Sequence, residues 1–239
     1  MKLLAIDTAT EACSVAIWLD GQIIETYEVA GREHSARLPL MVPSLLSKAG
    51  LVFSQLDGLV CGVGPGSFAG VRIGVSYVKG LALGLDLPVV GVTSLAMLAQ
   101  RVIAKAPSYT VMAAIDARMN EVYFGVYKSV GGLAARLQAD CVCAPSAVHV
   151  DAAVPLIGVG TGWQVYGGEL EARLAIAPEQ IDASALPHAQ DALPLAASDF
   201  TAGRATDASA LIPVYLRNRV ALTKLEQAEF RAKVAASKA

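Results

Sequence analysis

Two stretches of this chain carry residue types that could hold an anion. In "LLAIDTAT" an apolar run ends in Asp7 and is followed by Thr8 and Thr10. "IDTAT" looks like a phosphate loop, although an aspartate at a strand end is often a turn cap. In "CGVGPGSFAGVRIG", positions 61–74, Gly64, Gly66 and Ser67 precede a helical pattern. Backbone amides at a helix start attract anions, and Ser67 is suited to cap that helix. The same glycines would equally serve a tight turn with no ligand. At the level of sequence both readings stand.

Several chemistries are excluded by spacing. A nucleophile elbow needs G-x-S-x-G, but Gly66 directly precedes Ser67. A Walker loop needs Gly-Lys-Ser/Thr, and here Lys79 comes before Gly80. Gly64-x-Gly66-x-x-Ala69 does fit a dinucleotide fingerprint, yet Pro65 removes an amide and the next strand ends in Gly91-Val92-Thr93 with no acid. His34, His149 and His188 have neither triad context nor metal-pair spacing, and His34 reads as a helix-start residue. Cys13, Cys61, Cys141 and Cys143 form no C-x-x-C pair. Cys141 and Cys143 would share one face of a strand, and reduced thiols suit a cytoplasmic protein. The apolar run before Asp7 is only four residues long, too short for a signal-peptide core, and "GLALGLDLPVVGV" is short of a membrane span.

The elements that must position these residues follow from periodicity. Lys2 to Ile6 reads as a buried strand, "ACSVAIWL" alternates, Asp20-Gly21 is a hairpin signal, and "QIIETYEV" returns. Leu38, Met41, Val42, Leu45, Leu46 and Ala49 fall on one helical stripe, with Pro43 expected to kink it. "LDGLVCGV" is a strand, a second helix runs from about Phe68 to Leu85, Pro88 to Val92 is a strand, and Leu95 to Ile103 is a helix. The plan then repeats. "LLAIDTATEACSVAIWLDG" is echoed by "MAAIDARMNEVYFGVYKSVGG" at position 112, with Asp116 standing where Asp7 stood. An α/β fold of two similar lobes with mixed sheets is expected. The N-terminal lobe would cover 1–106, joined by a basic C-terminal helix at about 217–239. The second lobe would cover 107–216, with "IDASALPHAQDALP" as a loop broken by Pro187 and Pro194.

Of the 239 residues, 54% are hydrophobic and 17% charged, with a formal net charge of −2. That excess of apolar material suggests a partner covering some of it, and the charge gives no field for nucleic acid. The second helix is apolar around most of its circumference. Gly70, Gly74, Gly80 and Gly84 share a face with Ile73, Tyr77 and Leu81, while Val71, Val75, Val78 and Ala82 fill the flank. Small residues there allow another backbone to approach, either as a wholly intrachain layer or as a partner interface in which Leu38, Met41 and Leu45 of the first helix join Gly70, Gly74, Val75, Tyr77, Val78 and Leu81, and the residues alone leave both open.

"LLAIDTAT", "REHSARL", "GVGPGSFAGVRIG", "KGLALGLDLPVVGVTSL", "IDARMNEVY" and "PVYLRN" together resemble the TsaB (YeaZ) family over positions 1 to about 220. The resemblance implies the actin/hexokinase-like ATPase superfamily fold, with two RNase H-like lobes. It also implies a non-catalytic partner of the catalytic paralogue TsaD, with TsaE as an ATP-using third component. The complex would make threonylcarbamoyladenosine beside the anticodon of tRNAs. A homodimer, tRNA contact only through the complex, and no membrane partner are further expectations. The metal-binding H-x-x-x-H pair of TsaD has Ser94 and Leu98 in its place here, so no metal site and no catalytic residue are expected. In the superfamily the first hairpin contacts phosphates. That would place Asp7, Thr8 and Thr10 against Gly64, Gly66 and Ser67, with "GVGTGW" on the adenosine side, and ATP or ADP held only in an assembled complex. The rival reading is a free-standing ATP-dependent phosphotransferase or glycoprotease-like hydrolase. Asn120 and Arg219 depart from the family pattern, where glycine and glutamate are common.

Overall fold

The computed structural model describes residues 1–151 and 155–217. Two five-stranded mixed sheets form the framework. The first joins β1 (Lys2–Asp7), β2 (Ala12–Leu19), β3 (Gln22–Val29), β4 (Gly58–Gly62) and β5 (Val89–Val92) in the order β3-β2-β1-β4-β5. The second joins β6 (Thr110–Asp116), β7 (Val122–Val130), β8 (Leu133–Cys143), β9 (Leu156–Val159) and β10 (Ile181–Asp182) in the order β10-β9-β6-β7-β8. Each opens with two antiparallel hairpins and turns parallel where β1 meets β4 and β6 meets β9. The repeat read from "AID" is therefore a repeat of topology. Asp20 and Gly21 both adopt positive φ at the first hairpin, as a two-residue turn between twisted strands requires.

Helices cover both faces of the first sheet. On one face α1 (His34–Lys48) and α2 (Phe68–Leu85) bury Leu38, Met41, Val42, Leu45, Val71, Val75, Val78 and Ala82 with Leu4, Ile6, Val15 and Ile17. Pro39 and Pro43 lie on the exposed side of α1, and Pro43 does not end the helix. His34 opens α1, and its Nε2 lies 3.1 Å from the Ala12 carbonyl oxygen, so it stands at the helix start as expected. On the other face sit α3 (Ser94–Ile103) and α5 (Ala189–Thr201). The second sheet packs on α3 on one side and on α4 (Thr161–Leu174) on the other.

Two expectations change at α5. "IDASALPHAQDALP" is a loop only over 183–188, because Ile181–Asp182 pairs as β10 and Pro194 lies inside this helix. Ala189, Ala192, Leu193 and Ala196 bury against Leu3, Ala5, Val60 and Val90, and that apolar contact outweighs the one backbone hydrogen bond a proline removes. The helix also belongs by sequence to the 107–216 segment, yet it packs on the first sheet. Glu25 of β3 fixes its start: the carboxylate accepts from Ser14 Oγ at 2.7 Å and from the Gln190 amide at 3.2 Å, and lies 2.8 Å from His188 Nδ1. The expected C-terminal helix at about 217–239 lies outside the described residues, apart from Arg217, and so does Arg219.

Candidate functional site: the cleft between the two hairpins

The turn after β1 and the turn after β6 face one cleft of about 960 Å³. Thr10 and Glu11 line it from the first turn; Asp116, Ala117, Arg118 and Met119 line it from the second. The start of α2 contributes Gly66, Ser67 and Phe68, the start of α4 contributes Thr161, Gln164 and Val165, and Val214, Tyr215 and Arg217 close one side. Of the six residues expected at an anion site, Thr10, Gly66 and Ser67 reach the cleft. Asp7, Thr8 and Gly64 do not.

The reason lies in the glycines of 61–74. A Cβ on Gly66 would lie 2.1 Å from the Ala9 carbonyl oxygen, one on Gly70 would lie 2.2 Å from the Thr8 carbonyl oxygen, and one on Gly74 would lie 2.6 Å from Thr8 Oγ1. The first turn of α2 is thus seated directly on the turn between β1 and β2. The Ser67 amide donates to the Ala9 carbonyl at 2.7 Å, and the Thr8 hydroxyl donates to the Gly70 carbonyl at 2.7 Å. Ser67 also caps α2, its Oγ accepting from the Gly70 amide at 3.3 Å. Asp7 and Thr8 are completely buried behind this seal. Groups that the sequence offers to a phosphate are spent on packing two elements of the same lobe together.

Asp7 is left in an unusual state. Its Oδ2 accepts only a long 3.4 Å bond from the Ala9 amide, and its Oδ1 has no hydrogen-bond partner. A Cβ on Gly62 would lie 1.8 Å from that Oδ1, so glycine at 62 makes room for the carboxyl. Burial pushes the Asp7 carboxyl up to about 7, against a small opposing effect of the Ala9 amide. An unfolded aspartate titrates near 4, so the fold favours the protonated form and loses stability as pH rises from about 4 to 7. Asp7→Asn cannot ionise. It should be more stable than the parent by roughly 1–3 kcal/mol at pH 8, less than the full linkage because its own amide would lack partners. The two should converge near pH 4. Thermal melts across that range check this, and a difference independent of pH would show that Asp7 is not the titrating group.

The equivalent Asp116 is built differently. Its Oδ1 accepts from the Arg118 amide at 2.8 Å and from the Tyr166 hydroxyl at 3.3 Å, and Arg118 Nη1 pairs with its Oδ2 at 2.9 Å. The turn it begins is held in a costly shape. Arg118, Met119 and Asn120 all have φ between +58° and +60°. Asparagine tolerates this region better than most residues, which accounts for Asn120 at a position where glycine would be expected. Arg217 grips the turn, with Nη2 donating to the Arg118 carbonyl at 3.2 Å and to Glu121 Oε2 at 2.6 Å. In "GVGTGW", Gly160 and Gly162 pack on Ala114 as Gly66 and Gly70 pack on the first turn, and Thr161 faces the cleft. Arg118, Met119, Tyr215 and Arg217 were not singled out as site residues from sequence. The only signal for them was that they lie within the quoted "IDARMNEVY" and "PVYLRN".

Ser94 and Leu98 both lie in the interior, at 0% exposure, and leucine offers no donor atom. Among the described residues no three His, Cys, Asp or Glu side chains gather closely enough to hold a metal ion. The residues expected at a partner interface are also largely internal. Leu38, Met41, Leu45, Gly70, Gly74, Val75 and Val78 are buried in this chain's own core, and Tyr77 and Leu81 pack partly against it. On the opposite side of α2, Phe68, Ala69, Arg72, Ser76, Gly80, Leu83 and Gly84 are exposed. A Cβ on Gly80 or Gly84 would meet no atom within 4 Å.

A family model described as TsaD, tRNA N6-adenosine threonylcarbamoyltransferase, matches residues 26–222. The chain is 41% identical over 230 residues to the tRNA threonylcarbamoyladenosine biosynthesis protein TsaB of Escherichia coli strain K12, covering 94% of this chain and 98% of that one. It is 38% identical to the TsaB of Haemophilus influenzae, covering 94% and 97%. The solved structure of YeaZ from Pseudomonas aeruginosa superposes with a TM-score of 0.84 at 44% identity, covering 90% of this chain and 99% of that one. With two mixed-sheet lobes of matching topology, the actin/hexokinase-like fold expected, and near full-length identity to these relatives, the chain belongs to the TsaB (YeaZ) family, the family of tRNA threonylcarbamoyladenosine biosynthesis proteins.

Proposed function

We propose that this chain is a non-catalytic subunit that pairs with a TsaD-like catalytic protein, and that the exposed faces of α1 and α2 are the pairing surface. The observation that carries this is the outward face of α2. Ser76, Gly80 and Gly84 recur at four-residue spacing beside exposed Ala69 and Leu83, the latter 75% exposed. Leu40, 64% exposed, adds an apolar side chain on neighbouring α1. Small residues in a row let a second helix approach closely, and leucines at the margin give it apolar area to cover. Length and hydropathy alone would let α2 cross a membrane. Its Val71, Val75, Val78 and Ala82 instead form the core, so the apolar character outside belongs to a protein contact.

A catalytic role of its own has little support in the cleft. The side chains that would hold a phosphate in an ATP-using relative, Asp7 and Thr8, are sealed beneath α2. A TsaE-like ATPase and tRNA would meet this chain through the complex, and any ATP or ADP would be held there. The test is reconstitution on unmodified tRNA with TsaD-like and TsaE-like subunits, ATP and an activated threonylcarbamoyl donor, with and without this chain. Threonylcarbamoyladenosine should form only in its presence. Full product without it, or steady ATP turnover by this chain alone that Asp7→Ala abolishes, would overturn the reading.

A further inference from the structure

Cys141 and Cys143 lie outside the cleft and outside the proposed pairing surface. They stand two residues apart near the end of β8, an edge strand of the second sheet. Strand geometry puts both side chains on one face, and their sulfurs are 3.9 Å apart. Their strand partners are Phe124 and Val122, two buried residues that form an apolar wall beside the thiols. Both cysteines are half-buried, so the pair has a dry side and an open side.

Two outcomes compete for such a pair. A disulfide would need the sulfurs to close to about 2.05 Å, and Cα atoms about 6.6 Å apart along a strand sit at the upper limit of disulfide geometry. The strand's own hydrogen bonds resist the bend that would relieve this. A bridging metal ion needs no such movement. With metal–thiolate bonds of about 2.3 Å, sulfurs 3.9 Å apart subtend an angle of roughly 115°. That angle suits a three-coordinate ion with one position left open on the exposed side.

We propose that Cys141 and Cys143 form a dithiolate site for a soft monovalent cation, Cu(I), with an exogenous third ligand. Soft thiolates select Cu(I) over hard cations, and the apolar wall of Phe124 and Val122 suits a weakly hydrated ion. With no third protein donor among the described residues, the site would be a poor one for zinc, which holds four ligands in structural sites. Binding replaces two thiol protons with one Cu⁺, leaving a net single negative charge. Because both thiols must lose their protons to bind, apparent affinity should rise with pH.

The test titrates the full reduced chain with Cu(I) under anaerobic conditions against a chromogenic Cu(I) chelator. One equivalent should transfer to the protein, with thiolate-to-copper absorption in the ultraviolet and affinity rising between pH 6 and 8. Cys141→Ser and Cys143→Ser should each weaken binding about 100-fold or more, as expected when one of two ligands is removed. Cys13→Ser and Cys61→Ser, deep in the first lobe's core, should leave binding unchanged wherever those variants fold. Binding that survives Cys141→Ser, or a parent chain that binds no better than that variant, would overturn the proposal. So would rapid conversion of the pair to a disulfide by glutathione disulfide before any metal is taken up.

Discussion

Gly70→Ala should destabilise the isolated chain by about 3 kcal/mol or more, with Gly66→Ala close behind. Both added methyl groups would fall on backbone, 2.2 Å from the Thr8 carbonyl oxygen and 2.1 Å from the Ala9 carbonyl oxygen. Neither obstacle is a flexible side chain that could swing aside. Relief would require lifting the start of α2 off the turn after β1, breaking the Ser67–Ala9 and Thr8–Gly70 hydrogen bonds and exposing Asp7. Gly80→Ala is the internal control. Its Cβ meets nothing within 4 Å, and replacing a mid-helix glycine with alanine should add up to about 1 kcal/mol. Denaturant titrations of the three variants would separate these effects. If Gly70→Ala unfolds at the same midpoint as the parent, the turn can move off α2. Asp7 and Thr8 would then be within reach of a ligand, and the case against phosphate binding would fail with it.

The same residues show how much was legible in the sequence. Strand and helix order was open to reading because the apolar periodicities are long and Gly, Pro and Asp-Gly mark the ends. The repeat of Ala-Ile-Asp betrayed the two lobes. Alternative fates of one motif were not legible. Asp7 and Asp116 hold equivalent places, but the first is sealed with one carboxyl oxygen unpaired while the second is hydrogen-bonded beside the cleft. The difference depends on Gly62, Gly66 and Gly70 fitting around the first turn, a three-dimensional complementarity that no spacing rule expresses. The cleft wall formed by Tyr215 and Arg217 was hidden for a similar reason, since contacts between residues about a hundred positions apart leave no local signal. Pro194 misled because a breaker's cost was visible while the burial of Ala189, Ala192, Leu193 and Ala196 that offsets it was not.

Which face of α2 stays exposed was also beyond a helical wheel, because this helix is apolar nearly all round and the wheel cannot say which side its own sheet takes. With that side assigned, the pairing reading becomes sharply testable. Leu83→Arg and Ser76→Arg place a charge on the exposed face, where solvent accommodates it in the free chain. Their melting temperatures should stay close to the parent's. In a helix–helix contact the same arginine would be buried without a partner, at a cost of about 3–5 kcal/mol, which is a loss of more than 100-fold in affinity for a TsaD-like subunit. Val75→Arg and Gly74→Leu should behave in the opposite way. Val75 is 5% exposed, and a Cβ at Gly74 would lie 2.6 Å from Thr8 Oγ1, so both should melt early or fail to fold. Calorimetric melts of each variant, followed by titration into the TsaD-like subunit, give both readouts. A Leu83→Arg chain that folds and still pairs at parental affinity would exclude the outward face of α2 as the contact. A Val75→Arg chain that folds normally but cannot pair would move the contact to the valine flank and contradict the packing of α2 on the first sheet.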